Sequence, residues 1–76
     1  MDKNKFKAWL AAAQPGEEIV YHTGSLMFDR QRTDEIGTKL DALADCVFAA
    51  HKHGDAIVFQ RAIEPGKFNY LVRKVA

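Results

Sequence analysis

Apolar residues recur near the start of the chain at the spacing of a helix. They lie at i, i+3, i+4 and i+7 and are Phe6, Trp9, Leu10 and Ala13. Asp2 or Asn4 can cap the helix start, and Pro15 ends it because the residue before a proline avoids helical geometry. The pattern therefore predicts a first helix over about residues 4–13.

The following residues predict a short strand and then a segment that fits two structures. Residues 18–23 (EIVYHT) are mostly β-branched or aromatic, and Gly24 closes the run, so we expect a strand there. Residues 25–33 contain the apolar cluster Leu-Met-Phe at 26–28. This cluster is compatible with a second short strand or with one helical turn.

A second helical stripe follows at 3.6-residue spacing. It consists of Ile36, Leu40, Leu43, Ala44, Val47 and His51. Thr33-Asp34-Glu35 resembles an N-cap with an acidic first turn, and Gly54 stands at the expected C-terminal position. Because Gly37 weakens the first turn, the main helix is predicted over about residues 38–53, with a start at 34 as the alternative.

The last third of the chain predicts a β-hairpin. Two β-prone runs, 56–63 and 68–75, flank Glu64-Pro65-Gly66-Lys67, whose central Pro-Gly is typical of a type II turn. With Glu64 opposite Lys67, the predicted helix-facing pairs are Ile63 with Phe68, Arg61 with Tyr70, Phe59 with Val72, and Ile57 with Lys74. The predicted outward face carries Val58, Gln60, Ala62, Asn69, Leu71 and Arg73. Its apolar members, Leu71 and Val58, would form a patch for self-association or for a partner.

Composition places these elements in one small domain. The chain has 76 residues, of which 47% are apolar and 28% charged, so we expect a single α+β domain over residues 1–76. The lone Cys46 excludes an internal disulfide, which favours an intracellular, cytoplasmic protein. No segment approaches the roughly 20 apolar residues of a membrane span, so no membrane partner is expected.

Candidate chemistry is sparse. His51 and His53 are two residues apart, which directs them to different sides of a helix rather than toward one metal ion. Cys46 stands in an apolar run with no neighbouring base to activate it, and no glycine-rich phosphate loop follows a strand. We therefore expect no enzyme activity, no cofactor and no metal site.

Two segments carry a resemblance to known proteins. Residues 6–30 (FKAWLAAAQPGEEIVYHTGSLMFDR) and 58–74 (VFQRAIEPGKFNYLVRK) resemble a set of short uncharacterised bacteriophage and prophage proteins. The order helix, strand, helical region and hairpin is similar to a winged-helix domain, and the join HKHGDAIVFQRAI at 51–63 looks like its passage from recognition helix to wing. The resemblance implies a winged-helix-like module that binds nucleic acid in gene regulation.

Charge distributes unevenly along the chain. The net charge is only +1, so attraction to nucleic acid must be local. Basic residues gather near the N-terminus, around position 31 and on the hairpin. The predicted nucleic-acid contacts are Lys3, Lys5, Arg30, Arg32, Gln60, Arg61, Lys67, Arg73 and Lys74.

The main helix carries the opposite charge. Asp34, Asp41 and Asp45 lie opposite its apolar stripe, on the face that would enter a DNA groove. The alternative function is therefore a phage factor that inhibits or redirects a host protein through this acidic face. A hairpin-led mode of nucleic-acid binding and a homodimer also remain open.

Overall fold

The computed structural model describes residues 1–75, which form an α+β fold with an antiparallel three-stranded sheet. The elements in chain order are α1 (Lys3–Ala12), β1 (Glu18–Gly24), α2 (Leu26–Asp29), α3 (Glu35–Lys52), β2 (Ala56–Glu64) and β3 (Lys67–Lys74). β3 lies in the middle of the sheet, between β1 and β2. The predicted α+β class is confirmed, and the helix and strand bounds agree with the predicted ones to within a few residues.

Both long helices begin at an aspartate. The Asp2 carboxylate accepts a hydrogen bond from the Lys5 N–H at 2.8 Å, and the Asp34 carboxylate accepts one from the Gly37 N–H at 2.9 Å. Each bond satisfies a backbone donor that the first helical turn leaves free. α3 therefore begins at Glu35, and the predicted start at residue 38 is wrong because Gly37 continues the helix instead of breaking it.

The segment with two predicted structures contains a single helical turn, α2, so the strand alternative is wrong. Side chains outside the turn hold it in place. The Asp29 carboxylate lies 2.7 Å from His22 Nε2 and accepts from the Ser25 N–H at 3.1 Å, while the Leu26 N–H donates to the Tyr70 hydroxyl at 3.0 Å. These bonds join α2 to β1 and β3.

The hairpin forms as predicted, but its register is shifted by one residue. The observed pairs on the helix side are Ala62 with Phe68, Gln60 with Tyr70, Val58 with Val72, and Ala56 with Lys74. The shift arises at an irregularity between Ala62 and Glu64. Gly66 has φ of 77°, as a type II turn requires, and such a turn matches strand twist poorly, so an added residue restores the twist. The predicted faces of β2 are therefore exchanged.

The core lies between the helices and one face of the sheet. Its largest fully buried side chains are Phe6, Leu43, Val47 and Val72. Half-buried Trp9 stacks on Phe6 with ring centroids 6.0 Å apart, and α1 contacts mainly α3. His51, which its spacing places on the apolar stripe, is exposed and donates from Nδ1 to the Ala56 carbonyl at 3.1 Å. Across residues 1–75, each helix is too short or too polar to cross a bilayer.

Candidate nucleic-acid interface

The sheet face away from the helices is open to solvent and brings two predicted contact residues together. Val20 and Ile57 on this face are 43% and 44% exposed. Arg61 from β2 and Arg73 from β3 both lie over the Phe59 ring, with guanidinium carbons 5.4 and 5.1 Å from its centroid. Phe59 thus holds two cations above the sheet through cation–π contacts. We call Phe59, Arg61, Arg73 and Glu18 the open-face cluster.

Glu18 supplies the only carboxylate among these four residues. Arg73 Nε donates to a Glu18 carboxylate oxygen at 2.7 Å, and Arg61 lies 3.6 Å from the other oxygen. Glu18 belongs to β1, so the cluster extends across all three strands. With two guanidinium groups and one carboxylate, it keeps a net charge of +1. Side-chain contacts therefore orient both cations on one face before any ligand arrives.

The other hairpin candidates lie elsewhere. Lys67 is exposed where β3 begins, at the end of the hairpin turn. Gln60, predicted to share a face with Arg73, is on the helix side because of the register shift. Lys74 donates from Nζ to the Leu10 carbonyl at 2.9 Å and thereby caps the C-terminal end of α1. The structure thus gives Lys74 a role in packing α1.

Arg30 and Arg32 are bound to the acidic residues proposed for a protein partner. Arg30 donates to Asp41 at 2.7 Å and to Asp45 at 2.6 Å, and Arg32 bonds to Asp34. Hydrogen bonding to Asp41, and then to Asp45, raises the pKa of Arg30. These contacts neutralise part of the acidic helix face and occupy two of the predicted nucleic-acid contacts.

Lys3 and Lys5 are exposed on α1, which lies on the helix side of the sheet. The structure therefore does not bring them onto the same face as Arg61 and Arg73. The nine predicted contacts divide into α1 lysines, arginines bound beside α3, and a hairpin group. In the hairpin group, Arg61 and Arg73 share a single surface.

Three aromatic residues near the groove between α2 and the hairpin differ in exposure. Tyr21 is buried in the core, and desolvation, together with the nearby Tyr70, raises the pKa of Tyr21 to about 12. Tyr70 is half-buried, and its hydroxyl is engaged by α2. Phe28 is 70% exposed. Tyr21 and Tyr70 therefore support the fold, and Phe28 is available at the surface.

Within residues 1–75, Cys46, His51 and His53 do not belong to a group of side chains that could hold a metal ion. Cys46 is half-buried against the core. In the part of the chain that the structure describes, no three His, Cys, Asp or Glu side chains are arranged to hold a metal ion.

Sequence reasoning missed Phe59 and Glu18 as members of the open-face cluster. The predicted register places Phe59 on the helix side, and Glu18 is 55 residues from Arg73 along the chain. The available signal was the Pro-Gly turn itself, which favours an added residue beside it. Comparison of the chain with family models, curated proteins and solved structures finds no match.

Proposed function

We propose that this chain is a small winged-helix-like module that binds nucleic acid through its hairpin. The element order helix, strand, helix, helix, strand, strand, together with β3 between β1 and β2, supports the winged-helix layout. The resemblance to bacteriophage and prophage proteins favours a role in gene regulation. Fold alone does not determine function, so the proposal rests on the surface chemistry.

The observation that carries the proposal is the convergence of Arg61 and Arg73 on the open sheet face. Phosphate oxygens accept hydrogen bonds from guanidinium groups in bidentate geometry, and Phe59 already holds both groups in place. Lys67 adds a third cation at the hairpin tip. α3 presents Asp41 and Asp45 instead, which disfavours insertion of that helix into a DNA groove.

The number of cations sets the expected salt dependence of binding. Three phosphate contacts on a duplex give a log–log salt slope of about −2.7, so a rise from 50 to 200 mM salt weakens binding roughly 40-fold. Two contacts give roughly 12-fold. Glu18 opposes part of this attraction. We therefore expect weak binding that depends little on sequence and steeply on salt.

Fluorescence anisotropy with a labelled random duplex, at about 50 and about 200 mM salt, tests the proposal. The test variant carries Arg61→Ala and Arg73→Ala. The matched control carries Lys39→Ala and Lys52→Ala, which removes the same charge from α3. Circular dichroism is used to check that each variant is folded.

We expect the hairpin variant to lose most of its affinity and salt dependence, and the α3 control to lose less. Absence of binding by the parent at micromolar concentrations would falsify the proposal. A larger loss in the α3 control would place the contact on the helix instead. Host-protein binding through Asp34, Asp41 and Asp45 stays a prediction. It is tested by a pull-down from host lysate that compares the parent with Asp-to-Asn variants at these positions.

A further inference from the structure

An apolar groove lies on the helix side of the sheet, between α2, α3 and the hairpin. It has a volume of about 570 Å³. Its apolar walls include Leu26, Phe48, Val58, Phe68 and Tyr70. Met27 and Phe28 of α2 also line it, with 68% and 70% of their surface exposed. A recess and two protruding apolar side chains therefore belong to the same surface.

The exposure of Met27 and Phe28 is built into the fold. α2 is a single turn that buries Leu26, and the following two side chains point away from the core. The bonds of Asp29 and Tyr70 fix this turn to the sheet. Exposed apolar side chains that cluster beside a groove mark interaction surfaces on small proteins.

We infer that a second copy of this chain covers the groove, in a twofold contact that places Phe28 of each copy in the groove of the other. In such a contact the same patch occurs on both subunits, so it must complement itself. Arg30 lines the groove, and its guanidinium group binds the Asp41 and Asp45 carboxylates. Both signs of charge are therefore available to each subunit, and a net charge of +1 gives little repulsion between copies.

The exposed area is compatible with a reversible dimer. A free side chain of this size has a surface of roughly 200 Å². Met27, Phe28 and Phe48 are 68%, 70% and 37% exposed, which gives about 350 Å² of apolar area per copy and about 700 Å² per dimer. If about 65% of a homodimer interface is apolar, the total is about 1,100 Å², near the lower end for specific interfaces. We therefore expect a dimer dissociation constant in the micromolar range or higher.

The same charges disfavour nucleic acid as the occupant of this groove. Arg30, the charged residue that lines it, is bonded to two carboxylates, so the charge of this group of three side chains is −1. This negative group disfavours phosphates, whereas the net charge of +1 on the open-face cluster favours them. The groove inference is independent of the proposed function and can be tested without nucleic acid.

Sedimentation equilibrium of the full chain, from about 5 to about 500 µM, tests this inference. The test variants are Phe28→Ser and Met27→Ser. The matched controls are Val20→Ser and Ile57→Ser, which remove partly exposed apolar side chains from the open sheet face. All four positions are at least 43% exposed, so the variants are expected to fold.

The parent is expected to show a monomer–dimer equilibrium that Phe28→Ser weakens at least tenfold and that the controls leave within about threefold. A parent that is monomeric at every concentration overturns the inference and leaves the groove to a different protein. Dimers that dissociate in the controls but persist in Phe28→Ser also overturn it, because they place the interface on the open sheet face. Assemblies larger than dimers contradict the twofold geometry.

Discussion

Substituting alanine for Gly37 sets two effects of opposite sign against each other in the first turn of α3. Alanine is more favourable than glycine inside a helix by roughly 1 kcal/mol, so helix propensity alone predicts a gain in stability. Gly37 is buried, however. An added Cβ would lie 2.5 Å from Arg32 Cβ and 2.7 Å from the Arg32 carbonyl carbon, and closer still to the carbonyl oxygen. Since backbone atoms cannot rotate aside, residues 32–34 must move.

The steric effect is expected to exceed the propensity effect. Overpacking of this kind typically costs about 1–3 kcal/mol. Movement of residues 32–34 also weakens the helix cap in which the Asp34 carboxylate accepts a hydrogen bond from the Gly37 N–H. Such a cap contributes about 1 kcal/mol to stability. After subtraction of the propensity gain, Gly37→Ala should lower the free energy of unfolding by about 1–3 kcal/mol. A domain of this size has only about 3–5 kcal/mol in total.

Urea unfolding, followed by Trp9 fluorescence and by far-ultraviolet circular dichroism, measures this difference. Ala49→Gly at an exposed position of the same helix is the matched control, and it should cost roughly 1 kcal/mol through propensity alone. We expect Gly37→Ala to unfold at a lower urea concentration than the parent protein. If Gly37→Ala is as stable as the parent or more stable, the close approach of Arg32 to Gly37 is wrong.

Three further predictions concern the core, a helix cap and the hydrogen bond between His22 and Asp29. Trp9→Ala should lower the free energy of unfolding by about 3 kcal/mol, and Phe6→Ala, at a fully buried position, should lower it by at least as much. If either variant has the same melting temperature as the parent, the placement of α1 is wrong. Asp34→Ala should cost about 1 kcal/mol in urea unfolding, and Asp34→Asn less, because asparagine also caps helices. Hydrogen bonding from His22 holds the pKa of Asp29 below its usual 3.8. The stability from this carboxylate is therefore present at neutral pH and lost as pH falls below about 3.8, so the difference in Tm between parent and Asp29→Asn should shrink there; a constant difference would argue against the bond.

The helices and strands were predictable because their signals are local. The stripe around Phe6, the cap at Asp34 and the Pro-Gly turn each act within a few residues. The faces of β2 were not predictable in this way. Val58 and Phe59 are both apolar, so either one fits the helix side, and one extra residue beside Glu64 exchanges them.

The charge pattern shows the same limit at the candidate site. Sums along the chain identified a basic hairpin and an acidic helix, but they did not reveal which charges are paired. Arg30 binds carboxylates 11 and 15 residues away, and Arg73 binds Glu18 across 55 residues. Such pairs depend on the tertiary fold, which brings distant segments together. They reduce the free charge on α3 and leave the hairpin as the surface with two convergent cations.

Amide chemical-shift mapping during titration with a short random DNA duplex tests the central claim most directly. If the hairpin binds nucleic acid, shifts will concentrate at residues 57–61, 67–73 and Glu18, and they will fade as salt is raised. Shifts concentrated on the exposed positions of α3 between residues 38 and 49, or no shifts at all, would contradict it.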